Sequence, residues 1–168
     1  MVELEIAFHG EAGQTNGTPF KLGEVFPHST LKNAANESID ITAAQGKFSL
    51  ISVVPDINTR VCSLSTKRFN QEVDKFTNIN FYTVSTNTVA EQQQWCAAEG
   101  VTKMVLLSDA TGQLGKELGI YIAANKIDAR SIWILDEAGT IVYRELIVEQ
   151  TNEPDYQSAL AFLREHAE

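Results

Sequence analysis

Two thiols in this sequence, Cys62 and Cys96, could do redox chemistry, and their settings differ. The run Val53-Val54-Pro55-Asp56-Ile57-Asn58-Thr59-Arg60-Val61-Cys62 reads as the end of a buried strand, a short polar loop and the first turn of a helix. Backbone N–H groups in a first helical turn lack partners inside the helix and carry partial positive charge, which favours a thiolate over a thiol. The Cys62 pKa is therefore expected to fall from about 8.5 toward neutrality or below. A fall of about two units would turn a thiolate fraction of a few per cent at pH 7 into the major form. Thr59, three residues earlier, can bring a hydroxyl to the sulfur. Pro55 has no N–H and can wall the site without competing for hydrogen bonds. The plainer alternative for both cysteines is a small buried apolar side chain.

Other chemistries lack their motifs. No Gly-x-Gly-x-x-Gly occurs, and Gly112-Gln113-Leu114-Gly115-Lys116 has the wrong spacing for a phosphate loop, with Glu117 where Ser or Thr would hold magnesium. It reads as a helix start. No Gly-x-Ser-x-Gly elbow is present. His9, His28 and His166 are scattered, and without a Cys-x-x-Cys or paired-histidine seed no metal site is expected.

The elements that would carry Cys62 follow from the hydrophobic pattern. Val2, Leu4, Ile6 and Phe8 alternate as a half-buried strand. From Gly10 to Asn36, Gly, Asn, Thr and Pro suggest a hairpin and a long entry loop, with Asn16-Gly17-Thr18 and Asn36-Glu37-Ser38 as turns. Then strand and helix alternate. Phe48–Val54 is a strand ending at Pro55; Cys62, Ser65, Phe69, Val73 and Phe76 have helical spacing toward Asn78; Ile79–Ser85 is a strand. Thr88–Ala98 is a helix with Thr86, Asn87 or Thr88 to cap it and Gly100 to end it. Lys103–Ser108 is a strand, Gly112–Leu118 a short helix, and Ser131–Leu135 a strand joined by Asp136-Glu137-Ala138-Gly139 to Thr140–Ile147. Pro154 opens a last helix through Tyr156, Leu160 and Leu163. Helices crossing between strands imply an α/β fold, its mixed central sheet covered on both faces.

The 168 residues are expected to form a single domain, 1–168, without repeats or linkers. Thirteen basic against twenty-two acidic residues give a net charge of −9. That balance argues against nucleic acid and anionic membranes as partners. The acidic, alternating N-terminus does not read as a secretory signal, and two cysteines do not make a disulfide framework, so a cytoplasmic location is expected.

Pro55-x-x-x-Thr59-x-x-Cys62 resembles the active-site signature of peroxiredoxins, and the wider run through Arg68-Phe69-Asn70 resembles their thiol peroxidase (Tpx) subgroup, which is of the atypical two-cysteine kind. Phe8-His9-Gly10 is similar to that subgroup's N-terminal hairpin, Trp95-Cys96-Ala97-Ala98-Glu99-Gly100 to its resolving-cysteine helix, Ala129-Arg130 to its active-site arginine, and Thr151-x-Glu153-Pro154-Asp155-Tyr156 to its final helix. Glu24-Val25-Phe26-Pro27, Ser63 and Asn87-Thr88-Val89 depart from it.

The resemblance implies a thioredoxin-like (peroxiredoxin) fold with an N-terminal β-hairpin. It implies a peroxidase in which Cys62 is peroxidatic and Cys96 resolving, with Pro55, Thr59 and Arg130 completing the site. Cys96 would close an intramolecular disulfide with Cys62, and thioredoxin would reduce it. Alkyl or lipid hydroperoxides would be preferred over hydrogen peroxide, with Ile57, Val61 or Leu64 as candidates to line an apolar channel. A homodimer and the absence of any cofactor are also implied. Two other readings share the fold: a non-enzymatic redox sensor switched by the Cys62–Cys96 disulfide, and a peroxidase working through Cys62 alone.

Overall fold

The computed structural model describes residues 5–8, 10–28, 30–41, 47–72, 79–99 and 105–166, without side chains at 8, 60–63, 65 and 97–99. The expectations placed on Val2, Leu4, His9, Val73, Phe76, Asn78, Gly100 and Lys103 lie outside these residues. In chain order, β1 (Glu5–Phe8) and β2 (Glu11–Gln14) form an antiparallel hairpin, and β3 (Thr30–Asn33) and β4 (Ser38–Asp40) form a second. Then come β5 (Phe48–Val53), α1 (Arg60–Glu72), β6 (Ile79–Ser85), α2 (Val89–Glu99) and β7 (Val105–Ser108). A short α3 (Gln113–Leu118) and the two-residue strands β8 (Tyr121–Ile122) and β9 (Ile127–Asp128) precede β10 (Ser131–Leu135), β11 (Ile141–Leu146) and α4 (Tyr156–His166).

Seven strands make one mixed sheet in the order β11-β10-β5-β6-β7-β3-β4. β5, β6 and β7 run parallel, joined by α1 and α2, while β10, β11, β3 and β4 extend both sides antiparallel. Alternate residues along each strand point to opposite faces, and the core divides accordingly. Leu50, Phe81, Leu106 and Ile132 face Phe69 of α1, Trp95 of α2 and Leu160 of α4. Ile51, Val84, Leu107 and Trp133 face Leu114 and Leu118 of α3, together with Ile6, Phe26 and Ile120. The helices carrying positions 62 and 96 thus pack into the same hydrophobic cluster, on one side of the sheet. Phe69 meets Tyr156 of α4 edge to face at 5.4 Å between ring centroids.

One element departs from the expected pattern. The stretch expected to be a hairpin and loop contains β3, which joins the sheet edge beside β7. Only Leu31 of that strand is buried, so its sequence shows no run of alternating apolar residues. Its turn to β4 is set by Asn36 at φ 62° and by the Asn33 side chain, which accepts N–H bonds from Ala35 and Glu37. α1 begins at Arg60, so Cys62 is its third residue and lies in the first turn, as expected.

Candidate active site

The carboxyl ends of β5, β6 and β7 lie along one edge of the sheet, the end at which open α/β sheets place their sites. From β5 the chain passes through buried Val54 and Pro55 to the loop 56–59 and into α1. Asp56 shapes this loop. Its backbone carbonyl accepts the Thr59 N–H at 3.0 Å and the Thr59 hydroxyl at 2.9 Å, and its carboxyl Oδ1 accepts the Asn58 N–H at 3.0 Å. Thr59 is exposed at the mouth of the helix with its hydroxyl proton directed to Asp56, which leaves its oxygen as an acceptor. Pro55 is buried, and its carbonyl accepts the Thr86 hydroxyl at 3.3 Å. The Cys62 backbone sits in the first turn of α1, where the sequence places it; its side chain lies outside the described atoms.

Arg130 reaches the same edge through strand register. Ser131 pairs with Val53, so Arg130, one residue earlier, falls beside the point where β5 gives way to the Pro55 loop. The side chain is buried at 3% exposure. Its Nε donates to the Gln150 carbonyl at 2.9 Å, and its backbone N–H donates to Gln150 Oε1 at 2.6 Å. Gln150 is itself 1% exposed and donates from Nε2 to the Ile147 carbonyl at 2.6 Å. The N-terminal hairpin braces it, since Gln150 N–H donates to the Ala7 carbonyl and Ala7 N–H to that of Val148, each at 2.8 Å.

Cys96 is a half-buried free thiol in the eighth position of α2, packed with Trp95 at the edge of the cluster that holds Phe69. Burial pushes its pKa above the ordinary thiol value. The start of α2 is capped by Thr88, whose hydroxyl accepts the Glu91 N–H while Glu91 Oε1 accepts the Thr88 N–H, a reciprocal box. One turn before Cys96, buried Gln92 fixes α2 to the sheet by donating to Ser85 Oγ at 3.0 Å and to the Leu107 carbonyl at 2.8 Å.

Of the candidate lining residues, Ile57 is 0% exposed and belongs to the core, whereas Leu64 is 42% exposed, two residues after Cys62. Among the described residues, no three His, Cys, Asp or Glu side chains gather as a metal site, and no described helix is long and apolar enough to cross a membrane.

A model of the AhpC/TSA family matches residues 22–144, a span that contains the Pro55 loop, both cysteines and Arg130. The chain belongs to the AhpC/TSA family. Its relatives include the thiol peroxidase of Bacillus subtilis, 37% identical over 157 residues and covering 93% of this chain and 94% of that protein. The thiol peroxidase of Listeria monocytogenes serotype 4b is 37% identical over 145 residues, covering 86% and 88% respectively. Among solved structures, a peroxiredoxin-like protein from Aquifex aeolicus superposes with a TM-score of 0.90 at 24% identity over 96% of both chains. The thiol peroxidase of Chromobacterium violaceum gives 0.87 at 15% identity over 98% of both. The fold is thioredoxin-like, as in peroxiredoxins, and the family's chemistry is thiol-dependent peroxide reduction.

Two residues at this AhpC/TSA-type site escape sequence reasoning: Gln150 and Gln92. Each acts through side-chain contacts to segments far along the chain, for which local spacing holds no signal. The capping box Thr88-x-x-Glu91 could have been read, since it is a local pattern.

Proposed function

We propose that this thiol-dependent peroxidase reduces hydroperoxides at Cys62 within one domain spanning residues 1–168. The Cys62 thiolate attacks the terminal oxygen of ROOH; the S–O bond forms as the O–O bond breaks, giving Cys62–SOH and RO⁻, which leaves as ROH after taking a proton. The first-turn N–H groups of α1 stabilise the thiolate before attack. Arg130, held by Gln150, supplies permanent positive charge to the site and stabilises the departing oxygen. The Thr59 oxygen accepts the hydroperoxide's O–H, and Pro55 closes the pocket wall without a competing donor.

Cys96 then attacks the sulfenic sulfur, releasing water and forming the Cys62–Cys96 disulfide. A disulfide needs Cα atoms within about 7 Å, so the first turn of α1 unwinds before closure, and the end of α2 follows. Thioredoxin, itself a dithiol, returns both sulfurs to thiols in the reducing cytoplasm. Exposed Leu64 beside the site favours alkyl or lipid hydroperoxides. A homodimer formed through the loops around the site completes the reading.

The observation that carries this reading is the meeting, at one sheet edge, of the Pro55–Thr59 loop, the first turn of α1 and buried Arg130. The test is steady-state consumption of an organic hydroperoxide coupled to NADPH, thioredoxin reductase and thioredoxin. Cys62→Ser is expected to abolish turnover, and Cys96→Ser to stop thioredoxin-coupled cycling while leaving the first oxidation intact. Normal cycling by Cys96→Ser removes the resolving role. Slow oxidation without sustained consumption by the unmodified chain would favour the redox-sensor reading instead.

A further inference from the structure

A buried hydrogen-bonded strut joins the loop leading to Cys62 with the segment leading to the Cys96 helix. Asn87, 8% exposed, follows β6 and immediately precedes the capping residue Thr88. Its side-chain Oδ1 accepts the Ile57 N–H at 2.7 Å, and its Nδ2 donates to Asp56 Oδ1 at 2.9 Å. Its backbone carbonyl accepts the Ser108 hydroxyl at 2.6 Å, which ties the same residue to the end of β7. The adjacent bond from Thr86 to the Pro55 carbonyl reinforces the junction. One side chain thus ties the loop that leads into the Cys62 turn to the segment that leads into α2.

We infer that Asn87 is a positioning residue that sets the balance between the folded, peroxide-reactive form of the Cys62 turn and its unwound, disulfide-forming form. The inference rests on the peroxidase reading given above. Attack on peroxide needs the 55–62 segment held in one geometry, which the strut supplies through Asp56 and Ile57. Resolution needs the Cys62 turn released. After the first oxidation the sulfenic acid therefore has two fates. In the folded turn it meets a second hydroperoxide, Cys62–SOH + ROOH → Cys62–SO₂H + ROH. In the unwound turn it meets Cys96, Cys62–SOH + Cys96–SH → disulfide + H₂O. A strut that favours the folded turn speeds the first oxidation and exposes the enzyme to the second.

Three variants test this. Asn87→Ala removes both side-chain bonds. Asn87→Asp keeps the acceptor for Ile57 but sets a second carboxyl against Asp56. Asp56→Asn/Asn87→Asp restores a donor–acceptor pair, with the amide at 56 donating to the carboxyl at 87 and the exposed Asn58 N–H left to water. Stopped-flow oxidation of the reduced protein by cumene hydroperoxide and mass-spectrometric quantification of sulfinic acid after turnover with thioredoxin are the readouts, at a temperature where circular dichroism shows each variant folded.

Loss of a bond of this kind is expected to slow first oxidation by about tenfold in both single variants. It is also expected to raise, by a similar factor, the peroxide concentration that gives half-maximal sulfinic acid. The double variant is expected to recover to within about threefold of the unmodified chain in both readouts, showing coupling between the two positions. A purely structural role would lower thermal stability and leave the sulfinic fraction unmoved. Single variants with an unchanged sulfinic fraction, or a double variant no better than Asn87→Asp, overturn the strut. An unmodified chain whose Cys62 does not react with hydroperoxide at all overturns the peroxidase reading itself, which separates the two failures.

Discussion

Replacing Asp128 by Asn probes a buried pair of carboxyl groups beneath the arginine segment. Asp128, in β9 two residues before Arg130, is 0% exposed, and Asp109, after β7, is 1% exposed. Asp109 uses both oxygens as acceptors, Oδ1 for the Leu114 N–H and Oδ2 for the Gly115 N–H, each at 3.0 Å. Neither oxygen of Asp128 receives a bond from a described donor. Burial, then the hydrogen bond to Asp109 and its charge, hold the Asp128 pKa well above the ordinary carboxyl value of 3.8. Burial and the neighbouring carboxyl thus favour the protonated form of Asp128 in the fold.

The sign follows from linkage. The unfolded chain releases this proton at lower pH, so the stabilisation is complete below the ordinary value and is lost as pH rises toward the raised folded value. Over that window one proton costs about 1.4 kcal/mol of stability per pH unit. For a chain of this size that corresponds to roughly 3–5 °C in Tm per pH unit. The amide introduced by Asp128→Asn donates the same bond at every pH. Thermal melts of both proteins by circular dichroism from roughly pH 5 to 8 are expected to diverge, with the variant gaining on the unmodified chain as pH rises until Asp128 ionises in the fold. Titrating groups remote from this pair are common to both proteins and cancel in the difference. Parallel Tm profiles, or a variant less stable at pH 8 than the unmodified chain, would refute the reasoning.

Gly115→Ala would set a Cβ at 1.8 Å from Asp128 Oδ1 and 2.7 Å from its Cγ; the overpacking cost of about 1–3 kcal/mol outweighs the helix-propensity gain of up to about 1 kcal/mol. Denaturant melts should show a net loss that disappears in an Asp128→Ala background. Gln150→Leu removes the acceptor for the Arg130 N–H and is expected to lower the peroxide rate constant by about 10- to 100-fold, read by stopped flow; an unchanged rate would show that Arg130 needs no support from Gln150. The resolving step, followed as loss of Cys96 thiol after oxidation, is expected to accelerate with an apparent pKa near the ordinary thiol value of about 8.5. Burial raises the thiol only while α2 is intact, so a distinctly higher apparent pKa would mean attack from the folded helix.

What could be read from the sequence was local. The apolar run at 48–53, Pro55, Thr59 and Cys62 lie within one strand–loop–helix unit, and each falls where its spacing put it. The hairpin of β10 and β11 was equally legible, because Asp136 and Gly139 make its turn from their own side chain and a φ of 86°. Strands β3 and β4 were not, since an edge hairpin with little burial carries no periodic signal. Arg130 stood out only through family resemblance; its approach to the Pro55 loop depends on the register of β10 against β5, which spacing does not encode. Gln150, Asn87 and Asp128 act across 20, 31 and 19 residues of chain, where only the folded sheet brings donor and acceptor together.

In the proposed cycle Cys62 is the sulfur that meets peroxide and Cys96 the one that resolves it. Reduced protein treated anaerobically with one equivalent of cumene hydroperoxide, then alkylated and mapped by peptide mass spectrometry, addresses both positions at once. Both thiols are expected to disappear together into a Cys62–Cys96 linkage within a single chain, with Cys62 trapped as sulfenic acid in the Cys96→Ser variant. Peroxide consumed while Cys62 remains an alkylatable thiol would contradict this cycle.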